Sequence, residues 1–284
     1  MIFQNKYIFL LSCVFVCGSA AVYENGYHMD VGVPKATWLR RQPISRIVGG
    51  TKVDSATAVP YQAGIVVRLT TGWTSVCGGS VVSATRVLTA AHCWWDGQSQ
   101  AALFTIVLGS LTLFSGGTRI ETKQVTPHAN WNTRDYTHDI AMVRIPAITF
   151  SNKIQAIPLP TASIVNNNFV GFTGTISGFG KTSDAQSAVS SSTVLHRATV
   201  PVISNAVCQR SFSLNIHGSH LCTSGDGRKG TCDGDSGGPL TVIVNNQRVQ
   251  IGVVSFGPPS GCEFGEPSVY TRLTSFLNWL QAQM

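Results

Sequence analysis

The feature that most restricts this chain is its rhythm. Short runs rich in β-branched residues alternate with Gly, Ser, Thr, Pro and Asn: "AGIVVRL" (63–69), "CGGSVVSATRVLTA" (77–90), "ALFTIVLGS" (102–110), "DIAMVRI" (139–145), "GFTGTISGFG" (171–180), "RATVPVI" (197–203), "LTVIVNN" (240–246) and "VQIGVVSF" (249–256). Strands this short and this regularly punctuated specify an antiparallel all-β barrel or sandwich. Only the C-terminal end departs. In "RLTSFLNWLQAQM" (272–284), Leu273, Phe276, Leu277 and Leu280 recur at helical spacing and predict a packed helix. The small polar residues of "KTSDAQSAVSSSTVL" (181–195) predict an exposed, mobile loop.

The N-terminus reads as a signal peptide, residues 1–20. Lys6 precedes the apolar run "YIFLLSCVFVC" (7–17), and "GSAA" (18–21) supplies small residues for cleavage near Ala20 or Ala21. The run is shorter than the ~20 residues a membrane span needs, so a secreted, extracellular protein with no membrane anchor is expected. Cys13 and Cys17 leave with this leader. Cys77, Cys93, Cys208, Cys222, Cys232 and Cys262 remain, an even set that predicts disulfides in a secreted chain and leaves their pairing open. No CxxC or HxxxH spacing supports zinc, and no Asn-x-Ser/Thr sequon is present.

The formal charge is +7, with only 12% charged residues. Five of the 20 basic and two of the 13 acidic residues lie in the first 46 positions, leaving 15 and 11 scattered beyond them. With no basic run and no aromatic–basic interleaving, nucleic-acid binding is not expected. Ten of those 15 are Arg, a bias that suits an alkaline environment.

Three signals carry chemistry: "TAAHC" (89–93), "DIAMVRI" (139–145) and "GDSGGP" (234–239). A serine hydroxyl is a poor nucleophile unless a neutral imidazole takes its proton. The imidazole needs a carboxylate to fix its tautomer and stabilise the imidazolium. Glycines beside the serine let backbone N–H groups face an oxyanion. Singly, each signal has a bland reading as a structural histidine, a turn aspartate or a tight turn.

Together, in the order His, Asp, Ser and behind "RIVGG" (46–50), they resemble the chymotrypsin/trypsin family of secreted serine endopeptidases. "VVSFG" (253–257) and "PSVYTRL" (267–273) extend the resemblance over residues 47–284. It implies an all-β fold of two six-stranded antiparallel barrels with a C-terminal helix and a catalytic cleft between them. By resemblance, Ser236 is the nucleophile, His92 the general base and Asp139 its orienting carboxylate. The N–H groups of Gly234 and Ser236 form the oxyanion hole. Ser255 supports the aspartate, and the segment after it, with Phe256 where the family usually has Trp, binds the substrate backbone. The implied disulfides are Cys77–Cys93, Cys208–Cys222 and Cys232–Cys262.

The resemblance also implies an activation propeptide, residues 21–46. Cleavage between Arg46 and Ile47 frees an α-ammonium that pairs with Asp235. Arg40–Arg41 offers a second processing site. No cysteine lies in 22–46, so no disulfide retains this segment after cleavage.

Specificity is expected from Gly230 at the pocket base, where the trypsin branch carries an aspartate, and from Gly257 and Ser268 in the walls. These small residues predict cleavage after large apolar or aromatic residues. The enzyme would then need a separate trypsin-like activator. Glu263 and Glu266 read as solvated loop carboxylates, and Asp233 as a pocket-rim residue. Family members that bind calcium place paired glutamates after "LG". Ser110 replaces the first here and leaves Glu121 alone, so no metal or cofactor is expected. Partners are protein or peptide substrates and protein inhibitors, acting on a monomer. Two other readings share these residues: elastase-like or collagenolytic cleavage by the same triad, and a non-catalytic homologue acting as a binding module.

Overall fold

The computed structural model describes residues 26–29, 49–181, 183–184, 193–258 and 260–284. After the short β1 (Thr51–Lys52), the first half supplies β2 (Gln62–Leu69), β3 (Thr74–Ser83), β4 (Arg86–Thr89), β5 (Ala101–Leu108), β6 (Thr118–Thr122), β7 (Val125–Pro127) and β8 (Ala141–Arg144). The second half supplies β9 (Thr173–Gly178), β10 (His196–Ile203), β11 (His220–Thr223), β12 (Pro239–Val244), β13 (Gln247–Phe256) and β14 (Ser268–Arg272). All pairings between them are antiparallel.

The two halves close differently. In the second, the order β10-β11-β14-β13-β12-β9 returns to β10 through a β9–β10 ladder, giving a closed six-stranded barrel with β1 appended. In the first, the order β6-β5-β2-β3-β4-β8-β7 has no closing ladder among the described residues. Its edge strands β6 and β7 are joined by Lys123–Gln124, so the chain itself bends the sheet into a curled half-barrel. The expected all-β pair of barrels is thus present as one closed six-stranded barrel and one curled half-barrel, with short C-terminal helical turns.

Ile65, Val67, Phe104, Ile106 and Leu88 fill the first core and are fully buried. Ile176, Val200, Leu240, Val242 and Ile251 fill the second. Each such side chain contributes about 1.5–3 kcal/mol on burial. The predicted C-terminal helix is partly 3-10: Leu273–Phe276 form that tighter turn, and the α-helix runs only from Leu277 to Gln283. Leu273, Phe276 and Leu280 still pack on the first core, and Arg86 Nε donates to the Gln283 carbonyl at 2.6 Å.

Polar links tie the halves together. Ser80 Oγ on β3 donates to Gln250 Oε1 on β13 at 2.6 Å, and Ser177 Oγ on β9 donates to Gln62 Oε1 on β2 at 2.6 Å. All four side chains are buried, so each is costly to leave unpaired. Gln250→Ala should therefore lower the unfolding free energy by about 1–3 kcal/mol, read from denaturant midpoints. Removing Ser80 and Gln250 together should cost less than the sum of the single changes.

Candidate active site

His92 sits in the 3-10 turn Ala91–Cys93 that follows β4, and Asp139 just precedes β8. Both are buried. Asp139 Oδ2 lies 2.7 Å from His92 Nδ1, and Asp139 Oδ1 accepts the His92 backbone N–H at 2.9 Å. A third donor comes from the other barrel: Ser255 Oγ reaches Asp139 Oδ2 at 2.6 Å. Ser255 is placed by a β-bulge. Val254 pairs with Tyr270 and Phe256 with Val269, leaving Ser255 as the extra residue, and such a bulge re-aims its side chain. Thr271 Oγ1 on β14 completes the cradle by donating to the Asp139 carbonyl at 2.7 Å.

The segment leading to Asp139 is unusual. Tyr136 and His138 have φ of 56° and 60°, a region that costs non-glycine residues energy. Thr137 N and Oγ1 both donate to Asp135 Oδ1, at 3.0 and 2.7 Å, and hold the turn.

Ser236 is buried at the head of β12, with its carbonyl accepting from Gly78 N on β3 at 2.7 Å. Cys77–Cys93 ties β3 to the histidine turn, Cys208–Cys222 closes a loop of the second barrel, and Cys232–Cys262 ties the serine loop to the segment after β13. Gly234 has φ +94°, open only to glycine at low cost. Neither the Gly234 nor the Ser236 N–H donates to a backbone carbonyl among the described residues. The neighbouring Asp235 is buried and accepts from Gly180 N at 2.7 Å and Cys232 N at 3.0 Å. Arg46 and Ile47 lie outside the described residues, as do the leader and Arg40–Arg41.

A cavity of about 220 Å³ opens beside Ser236. Ser255, Phe256 and Gly257 line it, with Asp233 among the lining residues and ion-paired to Lys181 at 2.9 Å. Gly230 and Ser268 do not line it. A Cβ on Gly230 would lie 3.0 Å from Ser268 Oγ, and that hydroxyl accepts the Thr231 N–H at 3.3 Å. Ser268 is buried directly behind Thr231, which does line the cavity. Tyr270 is buried there too, its hydroxyl 3.1 Å from Thr223 Oγ1 and its phenol pushed by burial to about 12.

Two wall groups were not anticipated. Asp184, from the stretch read as a mobile loop, lines the cavity and accepts from Cys262 N at 2.8 Å and Glu263 N at 2.9 Å. Glu263 answers by accepting from Ser183 Oγ and Asp184 N, while Glu266 engages Ser260. Neither glutamate lines the cavity. The second group is aromatic: Tyr136 and Phe212 pack on Phe256 at ring distances of 5.2 and 5.6 Å. Only tertiary packing assembles these contacts, so no local signal announced them.

His220 backs the same wall, 5.5 Å from the Phe256 ring. Its Nδ1 accepts from His217 N at 3.2 Å, so Nε2 carries the proton and donates to the Tyr136 carbonyl at 3.1 Å. Burial pushes its pKa below the usual histidine range. The neutral ring contributes stability that is full above the unfolded pKa of about 6.5 and is lost as pH falls toward the depressed folded value. His220→Gln should flatten the fall in unfolding free energy between pH 7.5 and 5, read from denaturant melts. An unchanged slope would contradict this assignment.

Among the described residues, no helix is long and apolar enough to cross a membrane. The family model for trypsin matches residues 47–280. A collagenase of Hypoderma lineatum is 32% identical over 237 residues, covering 83% of this chain and 86% of that protein. Brachyurin of Leptuca pugilator is 38% identical over 211 residues, covering 73% and 87%. A solved structure of HL collagenase superposes with a TM-score of 0.74 at 31% identity, covering 83% of this chain and 97% of the other. The chain therefore belongs to the trypsin family of chymotrypsin-like serine proteases and is a serine endopeptidase.

Proposed function

We propose that this endopeptidase works through Ser236, His92 and Asp139 and cleaves after large apolar or aromatic residues. The observation that carries the catalytic half is the carboxylate at His92 Nδ1. A carboxylate only accepts, so Nδ1 holds the proton and Nε2 is left as the acceptor for a serine hydroxyl. In the first step Ser236 Oγ attacks the scissile carbonyl as its proton passes to Nε2. The resulting imidazolium is stabilised by Asp139, whose charge Ser255 and the His92 N–H help hold. The N–H groups of Gly234 and Ser236 receive the oxyanion. His92 then returns the proton to the leaving amine, and water repeats the cycle on the acyl-enzyme.

The specificity half rests on the cavity beside Ser236. Gly257 leaves its mouth open, since a Cβ there would meet no atom within 4 Å. The Asp184 oxygens are both engaged by backbone N–H groups, and no aspartate stands at position 230. A second reading, collagenolytic or elastase-like cleavage through the same triad, is favoured by the collagenase among the relatives.

Residues 1–20 act as the leader of a secreted precursor and 21–46 as its propeptide. Cleavage after Arg46 by a trypsin-like protease lets the Ile47 ammonium meet Asp235. Protein substrates follow from the family; the activator and protein inhibitors are further partners in this reading.

A peptide library read at the residue before the cut should show Phe, Tyr, Leu and Met dominant. Dominance of Ala or of Arg would overturn the apolar reading, and cutting of native collagen would favour the second. Gly257→Val, which narrows the mouth, should lower kcat/KM about 10-fold or more for aromatic substrates and less for small ones. Asp139→Asn should lower kcat by roughly 10⁴ through the wrong tautomer, the size of loss known for this kind of triad.

A further inference from the structure

Residues 26–29, far upstream of Arg46, form one helical turn seated against the catalytic groups. Tyr27 and His28 are 1% and 0% exposed, as buried as any core side chain. The Tyr27 hydroxyl donates to the Val76 carbonyl at 2.7 Å, and its ring meets the edge of the His92 ring at 4.6 Å. It also comes close enough to the Ser236 side chain to interact with it. The His28 N–H donates to Asp96 Oδ2 at 2.7 Å, and its Nδ1 lies 2.9 Å from Ser75 Oγ. Asp96 is preset to receive it, because its Oδ1 accepts from Gln98 N and Ser99 N at 2.9 and 2.7 Å. Gly26 enters with φ +78°, where a Cβ would lie 2.6 Å from the Asp96 carboxylate. Under this cover His92 Nε2 is buried and has no hydrogen-bond partner among the described residues.

The geometry points to Tyr27–His28 as a built-in ligand of the cleft: an aromatic–imidazole pair that fits a surface made by Ser75, Val76, His92 and Asp96 and blocks access to Nε2. This rests on the proposed role of His92 and Ser236. A helical turn does not present the extended backbone by which a peptide adds as a strand to the cleft wall, so the segment binds there without being a substrate. Activation then has two parts, cleavage after Arg46 and departure of the segment. With no cysteine in 22–46, no disulfide holds the segment, and among the described residues these contacts oppose its departure. Burial holds the His28 pKa down at about 4. Docking is therefore fully favoured above about 6.5 and weakens as pH falls toward 4. Among the described residues, Asp96, His92 and the Tyr27 ring, 5.4 Å away, are the charged or titratable groups facing that ring.

The test uses the mature chain, residues 47–284, and a synthetic peptide of residues 22–46, with a fluorophosphonate as probe of Ser236. The peptide should slow labelling at least 10-fold at saturation, and the same peptide carrying Tyr27→Ala and His28→Ala should not. In cis, the proenzyme cleaved after Arg46 by immobilised trypsin should become labelled with a lag behind bond cleavage, abolished by the same two changes. Either difference supports the proposal. Equal effects of both peptides, together with equal lags, overturn it. If the mature chain alone is not labelled, the catalytic reading has failed. Peptide binding by fluorescence anisotropy, specific to Tyr27 and His28 or not, then decides the docking separately.

Discussion

Everything at the cleft is arranged around one buried carboxylate. Moving the Asp139 charge out of water carries a penalty of several kcal/mol unless donors replace the lost solvent. Four groups do so or brace it. The His92 N–H and Nδ1 come from the first half of the fold, and Ser255 and Thr271 from the second. The requirement to satisfy this charge therefore helps fix how the two halves meet, beside the Ser80–Gln250 and Ser177–Gln62 links. It also sets the tautomer of His92, because the side of the ring that faces the carboxylate must carry the proton.

The serine side is held by the same logic at a second carboxylate. Asp235 accepts two backbone N–H groups, from Gly180 and Cys232, which draws the serine loop onto the bend that follows β9. Gly78 pins the loop from the opposite half by donating to the Ser236 carbonyl. The Cys232–Cys262 bridge then carries the cavity wall along with it. Ser236, His92 and the cavity wall are thus positioned by groups whose own burial would be unfavourable without these partners.

What could be read in the residues was whatever depends on local pattern. Strand rhythm gave the all-β class, and the order His92, Asp139, Ser236 pointed to the proposed site, because that chemistry needs those side chains whatever the fold. What could not be read depends on which distant atoms meet. The first sheet curls, with no closing ladder among the described residues, because β6 and β7 are consecutive edge strands, a matter of register. Ser268 faces Thr231 and Tyr270 behind the cavity, not the cavity itself, because its hydroxyl finds a donor there. Asp184, in a stretch with a loop's composition, is latched by Cys262 and Glu263. Tyr27 and His28 carry no motif, and their burial against His92 is what separates them from their neighbours upstream of Arg46.

The most direct measurement of the central claim, that one serine served by one histidine and one carboxylate does the chemistry, is the position of a covalent adduct. Mass spectrometry of the mature chain after reaction with a fluorophosphonate should find a single modified residue, Ser236. The adduct should vanish in Asp139→Asn at equal exposure near neutral pH, while fold and disulfides stay intact. Modification spread over several serines, or undiminished when Asp139 is changed, would contradict it.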